Sequence, residues 1–236
     1  MAMRMTIRTM LARDMGFPTM ALADKKKNGR GKERAFARSR GPVYSPGGMP
    51  QSPPSPRSAV TGPPPASTPS RPVVLVGLMG VGKSTVGRRL AARLHLPFVD
   101  ADREIEAAAG LLIPDIFERF GEEGFRDGER RVIARLIDGT PKVIATGGGA
   151  FMNEQTRTLI LERATAVWLD ADIDVLVDRV RRRNDRPLLR DRDPRDVLVE
   201  LARVRNPIYA LAPIHVRSEP TPHDATVDMI LKALRP

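Results

Sequence analysis

The chain of 236 residues contains no cysteine. Disulfides, thiol catalysis and cysteine-based zinc sites are therefore excluded. Aromatic residues are scarce, with one Trp, two Tyr and seven Phe. None of them interleaves with the densest arginine run, residues 179–192, which weakens a single-strand nucleic-acid reading of that run. The three histidines, His95, His215 and His223, are scattered. No metal site built from protein ligands is visible, and no histidine is assigned a catalytic role. His95 ends a helical stretch, where a cation is favourable. No run approaches the roughly 18 apolar residues of a membrane span, and there is no internal repeat.

Acidic residues are rare in one part of the chain. Residues 1–70 hold 12 Lys and Arg against 3 Asp and Glu, nine of the eleven surplus positive charges. The pI near 10.8 thus belongs mostly to this tail, and the remainder is close to neutral. Residues 24–40 are a basic run, and residues 42–72 are crowded with Pro, Ser and Gly. Such a segment buries too little apolar surface to offset its ordering entropy. Residues 1–70 are expected to be a disordered extension, solvated rather than a nucleic-acid arm, and Met20 and Met49 are alternative starts. Residues 1–23 carry Arg4, Arg8 and Arg13 before a mildly apolar stretch, but Pro18 and Asp14 spoil a secretory signal. The expected location is cytoplasmic. Residues 71–236 are of ordinary size for one domain.

From Arg71 onward strand and helix signals alternate. Strand candidates are Val73–Val76, Pro97–Val99, Val143–Ala145, Ala166–Leu169 and Pro213–Val216. All are short, apolar and without alternation, as strands covered on both faces should be. Helical spacing covers Ser84–Leu94, Asp102–Ala109, Pro114–Phe120, Glu122–Ile137, Glu154–Arg163, Ile173–Arg182, Pro194–Leu211 and Asp224–Leu234. The alternation predicts an α/β fold with a parallel sheet, helices on both faces, and ligands at the carboxyl ends of the strands. Trp168, within a strand, and Phe117, Phe120 and Phe125 read as core.

The stretch Val73 to Thr85 carries the strongest signal. An apolar strand runs into Gly77, Gly82, Lys83 and Ser84 in the pattern Gly-x4-Gly-Lys-Ser, and an amphipathic helix follows. This is a phosphate-cradling loop. Its glycines let backbone amides crowd around an anion, and the helix start points its positive end there. Lys83 would reach the outer phosphates of a nucleotide, and the Ser84 hydroxyl would hold Mg²⁺. A turn that binds nothing is the alternative, and the strand before and helix after argue against it.

Four further clusters lie downstream. Asp100 and Asp102 close the second strand, suited to Mg²⁺ or a substrate hydroxyl, or simply to capping the next helix. Arg126 and Glu129, three apart on one helix face, could grip an acidic substrate or form an ordinary surface ion pair. Gly147-Gly148-Gly149 follows the third strand, which is costly in entropy unless backbone approaches a ligand closely. Arg179, Arg181, Arg182, Arg183, Arg186, Arg190 and Arg192 suit either a nucleic-acid patch or a mobile lid closing on phosphates. Arg205 adds a basic group on a helix near the last strand.

Taken in order, the loop Gly77–Ser84, Asp100-Ala101-Asp102, Ile116-Phe117 with Phe125-Arg126, the triple glycine and Arg186-Pro187-Leu188-Leu189 resemble the shikimate kinase family. The resemblance spans essentially residues 72–235 and leaves the tail out. It implies a three-layer P-loop kinase fold, with a five-stranded parallel sheet in the order 2-3-1-4-5 and a mobile lid. It implies transfer of the ATP γ-phosphate to the 3-hydroxyl of shikimate, on the route to aromatic amino acids, by a monomer. By position, Gly80, Val81, Gly82, Lys83, Ser84 and Thr85 would bind ATP. Arg179 would stack on adenine, and Arg186 would reach the phosphates from the lid. Asp102 would bind shikimate hydroxyls and serve as base, with Asp100 holding Mg²⁺ through water. Arg126 and Arg205 would bind the shikimate carboxylate, and Gly148 and Gly149 would meet shikimate through their backbone. Pro222 lies near the family's other adenine contact, slightly out of register. No membrane is implied, and Arg181–Arg183 need no nucleic-acid role. The rivals are another small-molecule kinase of the same fold and a binding protein using a kinase-like domain as a sensor. The Arg126–Glu129 pair and the triple glycine favour shikimate.

Overall fold

The computed structural model describes residues 69–181, 193–218 and 223–235. The tail up to residue 68, Arg186 with its neighbours, and Pro222 lie outside the described residues, so the expectations placed on them find no counterpart here.

Five strands build one sheet. They are β1 (Val73–Val76), β2 (Phe98–Asp100), β3 (Val143–Ala145), β4 (Thr165–Asp170) and β5 (Ile214–Arg217). Their order is β2-β3-β1-β4-β5, and every pairing is parallel. Between them run α1 (Lys83–Leu94), α2 (Ala101–Ala109), α3 (Ile113–Leu136), α4 (Glu154–Arg163), α5 (Ile173–Arg181), α6 (Pro194–Tyr209) and α7 (His223–Ala233). A 3₁₀ turn, Ala150–Met152, follows β3.

Burial follows position in the sheet. β1 and β3 are buried along their whole length, and the inner four residues of β4 are buried too. Val and Ile dominate there because branched side chains fit a pleated surface covered on both faces. β5 corrects the expectation of uniform burial. His215 and Arg217 are exposed while Val216 is buried, so this strand alternates. An edge strand has one free side, and charged residues such as Arg217 there discourage pairing with another chain. Arg217 pairs with Asp172.

The two helices expected on either side of residue 121 form one element with a break. Gly121 has φ 68 and ψ −176, which no helical residue adopts, so α3 turns sharply there. The second half then lays Phe125, Val132, Ile133 and Leu136 into the core. Phe125 is buried, stacked on the half-buried Phe117 at 4.4 Å between ring centroids. α1 is tied to α7 by Arg89–Asp224 at 2.7 Å and Arg93–Asp228 at 2.9 Å. All four side chains are well exposed, so these rungs orient more than they stabilise.

Candidate functional site

The carboxyl ends of β1, β2 and β3 converge on one region. Between β1 and α1 the chain runs through Gly77 (φ 137), Gly80 (φ 82) and Gly82 (φ 99). Each lies where a Cβ is disfavoured. A methyl on Gly77 would also sit 2.2 Å from the Leu169 carbonyl oxygen, so the loop must pass close over the end of β4. Gly82 caps α1 without any side-chain hydrogen bond, which leaves the first amides of the helix to an incoming anion. The Lys83 Nζ donates to the Gly77 oxygen at 2.7 Å and to the Leu78 oxygen at 2.9 Å. The ammonium is thereby held over the loop, beside the space its glycines enclose.

The Ser84 hydroxyl donates to Asp100 Oδ2 at 2.7 Å. That contact, and not a helix cap, is what engages the Asp100 side chain. Asp100 stands at the N-cap of α2, yet its side chain makes no capping hydrogen bond and turns to the loop instead. A hydroxyl and a carboxylate side by side are hard oxygen ligands of the kind Mg²⁺ takes when it arrives with a nucleotide. Among the described residues no group of three or more His, Asp or Glu stands together as a metal site.

The triple glycine has a different cause from the one expected of P-loop glycines. None of the three has positive φ. Side chains crowd against them. A Cβ on Gly147 would lie 2.8 Å from Asp102 Oδ1 and 2.9 Å from Glu129 Oε1. One on Gly149 would lie 2.5 Å from both terminal nitrogens of Arg126. One on Gly148 would meet Arg205 Nη1, the Met79 amide nitrogen and the Gly77 oxygen at 3.5 to 3.6 Å. The glycine turn is thus the floor on which Asp102, Glu129, Arg126 and Arg205 gather, next to the phosphate loop. Three of the residues assigned to one acidic substrate, Asp102, Arg126 and Arg205, meet here from α2, α3 and α6.

Charge in this pocket is balanced rather than uniform. Arg126 donates to Glu129 Oε2 at 2.7 Å and to Glu122 Oε1 at 3.3 Å. Glu129 is only 2% exposed, so the pair is not an ordinary surface ion pair. Burial opposes the Arg126 charge, but Glu129 and Glu122 outweigh it and hold its pKa above the usual arginine value. Burial pushes the Glu129 carboxyl up, against the pull of Arg126, and Asp102 adds to the rise. Glu129 Oε1 is buried without a hydrogen bond. An orphaned acceptor facing Gly147 marks a place where a ligand hydroxyl can donate.

Three residues that the sequence did not single out for the site stand in it. Tyr209 is fully buried, and its hydroxyl donates to the Gly148 oxygen, which also accepts from Arg205 Nη1 at 3.2 Å. Thr146 Oγ1 donates to the Leu75 oxygen at 3.0 Å and ties the glycine turn to β1. His223, at the start of α7, brings its ring within 3.5 Å of a Cβ on Gly82. Burial, then Arg179 and Arg89, push its pKa down. Arg179 itself donates to the Val81 oxygen of the phosphate loop at 3.2 Å. The spacing of Arg205 and Tyr209, four apart on one helix, is a signal that could have flagged Tyr209.

The shikimate kinase family profile matches residues 79–235. A shikimate kinase of Bradyrhizobium diazoefficiens is 60% identical over 166 residues, covering 70% of this chain and 80% of that protein. One from Zymomonas mobilis is 56% identical over 170 residues, covering 72% and 97%. Among solved structures, shikimate kinase from Acinetobacter baumannii in complex with shikimate superposes with a TM-score of 0.69 at 36% identity, covering 73% of this chain and 97% of that one.

Proposed function

The chain belongs to the shikimate kinase family, and from that premise we propose how its residues divide the work of an ATP-dependent kinase acting on shikimate. The 3-hydroxyl of shikimate is the acceptor. Its oxygen attacks the γ-phosphorus of ATP, the bond to the β-phosphate oxygen breaks, and the hydroxyl proton passes to Asp102. A loose phosphoryl-transfer transition state needs little activation of the nucleophile and much positioning. The pocket around the triple glycine supplies that positioning. Arg126 and Arg205 hold the carboxylate at one end of the substrate, and Asp102 holds the hydroxyls at the other. Gly148 and Gly149 meet shikimate through their backbone. Holding both ends fixes the line of attack.

On the nucleotide side, the amides of Gly80, Val81, Gly82, Lys83, Ser84 and Thr85 cradle the phosphates. Lys83 leaves the Gly77 and Leu78 carbonyls for the outer phosphates, and Arg186 reaches the same charge from the lid. Arg179 stacks on the adenine. Ser84, with Asp100 behind it, would hold Mg²⁺. Bound there, Mg²⁺ would neutralise charge on the phosphates. The kinase unit is residues 71–236, acting as a monomer in the cytoplasm. Among the described residues no helix is long and apolar enough to cross a membrane.

The observation that carries this reading is the convergence of Asp102, Arg126 and Arg205 on Gly147–Gly149 beside the phosphate loop. The test is coupled ADP release from the purified full chain with ATP and Mg²⁺, shikimate added or withheld. Release that depends on shikimate is expected. ATP turnover indifferent to shikimate would overturn the assignment of the glycine-floored pocket.

A further inference from the structure

The Gly148 carbonyl oxygen accepts from two donors of opposite character. Tyr209 is locked in place. It is fully buried, its ring stacked on Phe151 at 6.4 Å and on Trp168 at 6.1 Å. Arg205, one helical turn earlier on α6, is half-buried and ends in a long flexible stem. The arginine assigned above to the substrate carboxylate therefore begins with the Gly148 carbonyl as a partner and the Tyr209 hydroxyl beside it. Only Nη1 makes this contact, and a paired contact of both terminal nitrogens with a carboxylate would draw Nη1 off that oxygen. Gly148 is half-buried, so its carbonyl left with no donor costs part of the desolvation penalty of a buried group.

We propose that Tyr209 is a positioning residue for shikimate binding: its hydroxyl keeps the Gly148 carbonyl satisfied, so that Arg205 can transfer to the substrate carboxylate without orphaning the backbone. This rests on the assignment of Arg205 to the carboxylate. A carbonyl oxygen has two lone pairs, one for each donor. When Arg205 departs, the Tyr209 bond remains, and the glycine turn stays where Arg126 and Asp102 need it. Burial pushes the Tyr209 pKa up to about 12, so the phenol remains a donor throughout the neutral range. Without that hydroxyl, Arg205 becomes the carbonyl's remaining donor among the described contacts, and substrate must compete with the backbone for it. The cost then falls on binding and spares both the empty enzyme and the nucleotide side.

The test is a kinetic double-mutant cycle on the full chain with Tyr209→Phe and Arg205→Ala. Tyr209→Phe keeps the ring and its stacking. It is expected to raise the shikimate KM roughly tenfold, with kcat within about threefold and the ATP KM unchanged, as loss of ground-state binding requires. In the Arg205→Ala background the same change is expected to raise the shikimate KM by clearly less than in the wild type, because no arginine remains to be released and what is left is the loss of the turn's second donor. A merely structural tyrosine would lower Tm and disturb both KM values alike. If Arg205→Ala raises the shikimate KM and Tyr209→Phe does not, the proposal falls and the site assignment stands. The proposal also falls if Tyr209→Phe raises KM by the same factor in both backgrounds. If Arg205→Ala leaves the shikimate KM unchanged, the carboxylate assignment falls and takes the proposal with it. Should Tyr209→Phe not fold, 3-fluorotyrosine at 209 replaces it. Its stronger donor is expected to lower the shikimate KM alone, and an unchanged KM overturns the proposal.

Discussion

Adding one methyl group to Gly149 tests the geometry of the pocket more sharply than removing any charged side chain. Gly149 has φ −96 and ψ −14, which alanine adopts freely, so backbone strain does not enter. The new Cβ would fall 2.5 Å from both terminal nitrogens of Arg126. The guanidinium must retreat by about 0.9 Å to reach ordinary contact at 3.4 Å. It is not free to do so at no cost, because Glu129 holds it at 2.7 Å and is itself buried. Removing one partner of a buried pair outright costs about 3–5 kcal/mol. Here the arginine stays nearby and is 26% exposed, and a displaced Glu129 can take up a proton. A loss of about 1–2 kcal/mol is the appropriate discount, or a fall in Tm of roughly 2–8 °C for a domain of this size. The larger effect is on the reaction. Misplacing a substrate-holding group by about 1 Å costs up to about 100-fold. Gly149→Ala is therefore expected to lower kcat/KM for shikimate by roughly 10- to 100-fold, mostly through KM, and to leave the ATP KM alone. Gly148→Ala is the comparison one residue away: its nearest neighbours lie at 3.5 Å, so side chains are displaced less and its loss should be clearly smaller than that of Gly149→Ala. The coupled ADP assay with shikimate varied at saturating ATP reads both. An unchanged shikimate KM in Gly149→Ala, or an equal loss in Gly148→Ala, refutes the reasoning.

Lys83→Ala is expected to abolish phosphoryl transfer while the chain remains folded; measurable turnover would contradict its placement on the outer phosphates. Chelation of divalent cations with EDTA should stop ADP release, and added Mg²⁺ should restore it; indifference to chelation would remove the role given to Ser84 and Asp100. Glu129 gives a pH signature. Its folded pKa lies above its unfolded value near 4.5, so the folded state holds the proton more tightly. Its contribution to stability is present in full below the unfolded pKa and is lost as pH rises through the folded one. Glu129→Gln should flatten that part of a Tm-against-pH curve; an unaltered curve would show that the buried carboxyl does not titrate as described.

Much of the fold could be read from local pattern. The bounds of β1, β3 and α4 agree with expectation to the residue, because each is flanked by strong punctuation such as Gly77, the triple glycine or the Asn153 cap. The phosphate loop was legible for the same reason, since its chemistry is carried by backbone within one short stretch. β5 was misjudged because position at a sheet edge is a property of topology, which four residues cannot announce. The triple glycine was legible as a place of close approach, but not that Asp102, Glu129 and Arg126 occupy the space a Cβ would take at Gly147 and Gly149. Tyr209 was missed because its partner is a backbone carbonyl 61 residues away, and carbonyls leave no mark in a sequence. Glu129 was legible as the holder of Arg126, but not its burial, which depends on how α3 turns at Gly121.

The placement of β1 at the centre of the sheet also sets a timetable for synthesis. Val73 pairs with Val143 on one side and Thr165 on the other, about 70 and 90 residues later in the chain. At a ribosomal rate of about 5–20 residues per second, both flanks of β1 stay unmade for roughly 4–14 s, and the second for roughly 5–18 s. Throughout that interval Val73, Val74, Leu75 and Val76 present an apolar strand with both edges open. The nascent chain must pass that window before the nucleotide loop has any fixed shape, and parallel sheets close slowly because their loops must be ordered first. The strand that ends as the most protected in the protein is thus the one most exposed to aggregation, and to capture by chaperones, while the protein is being made.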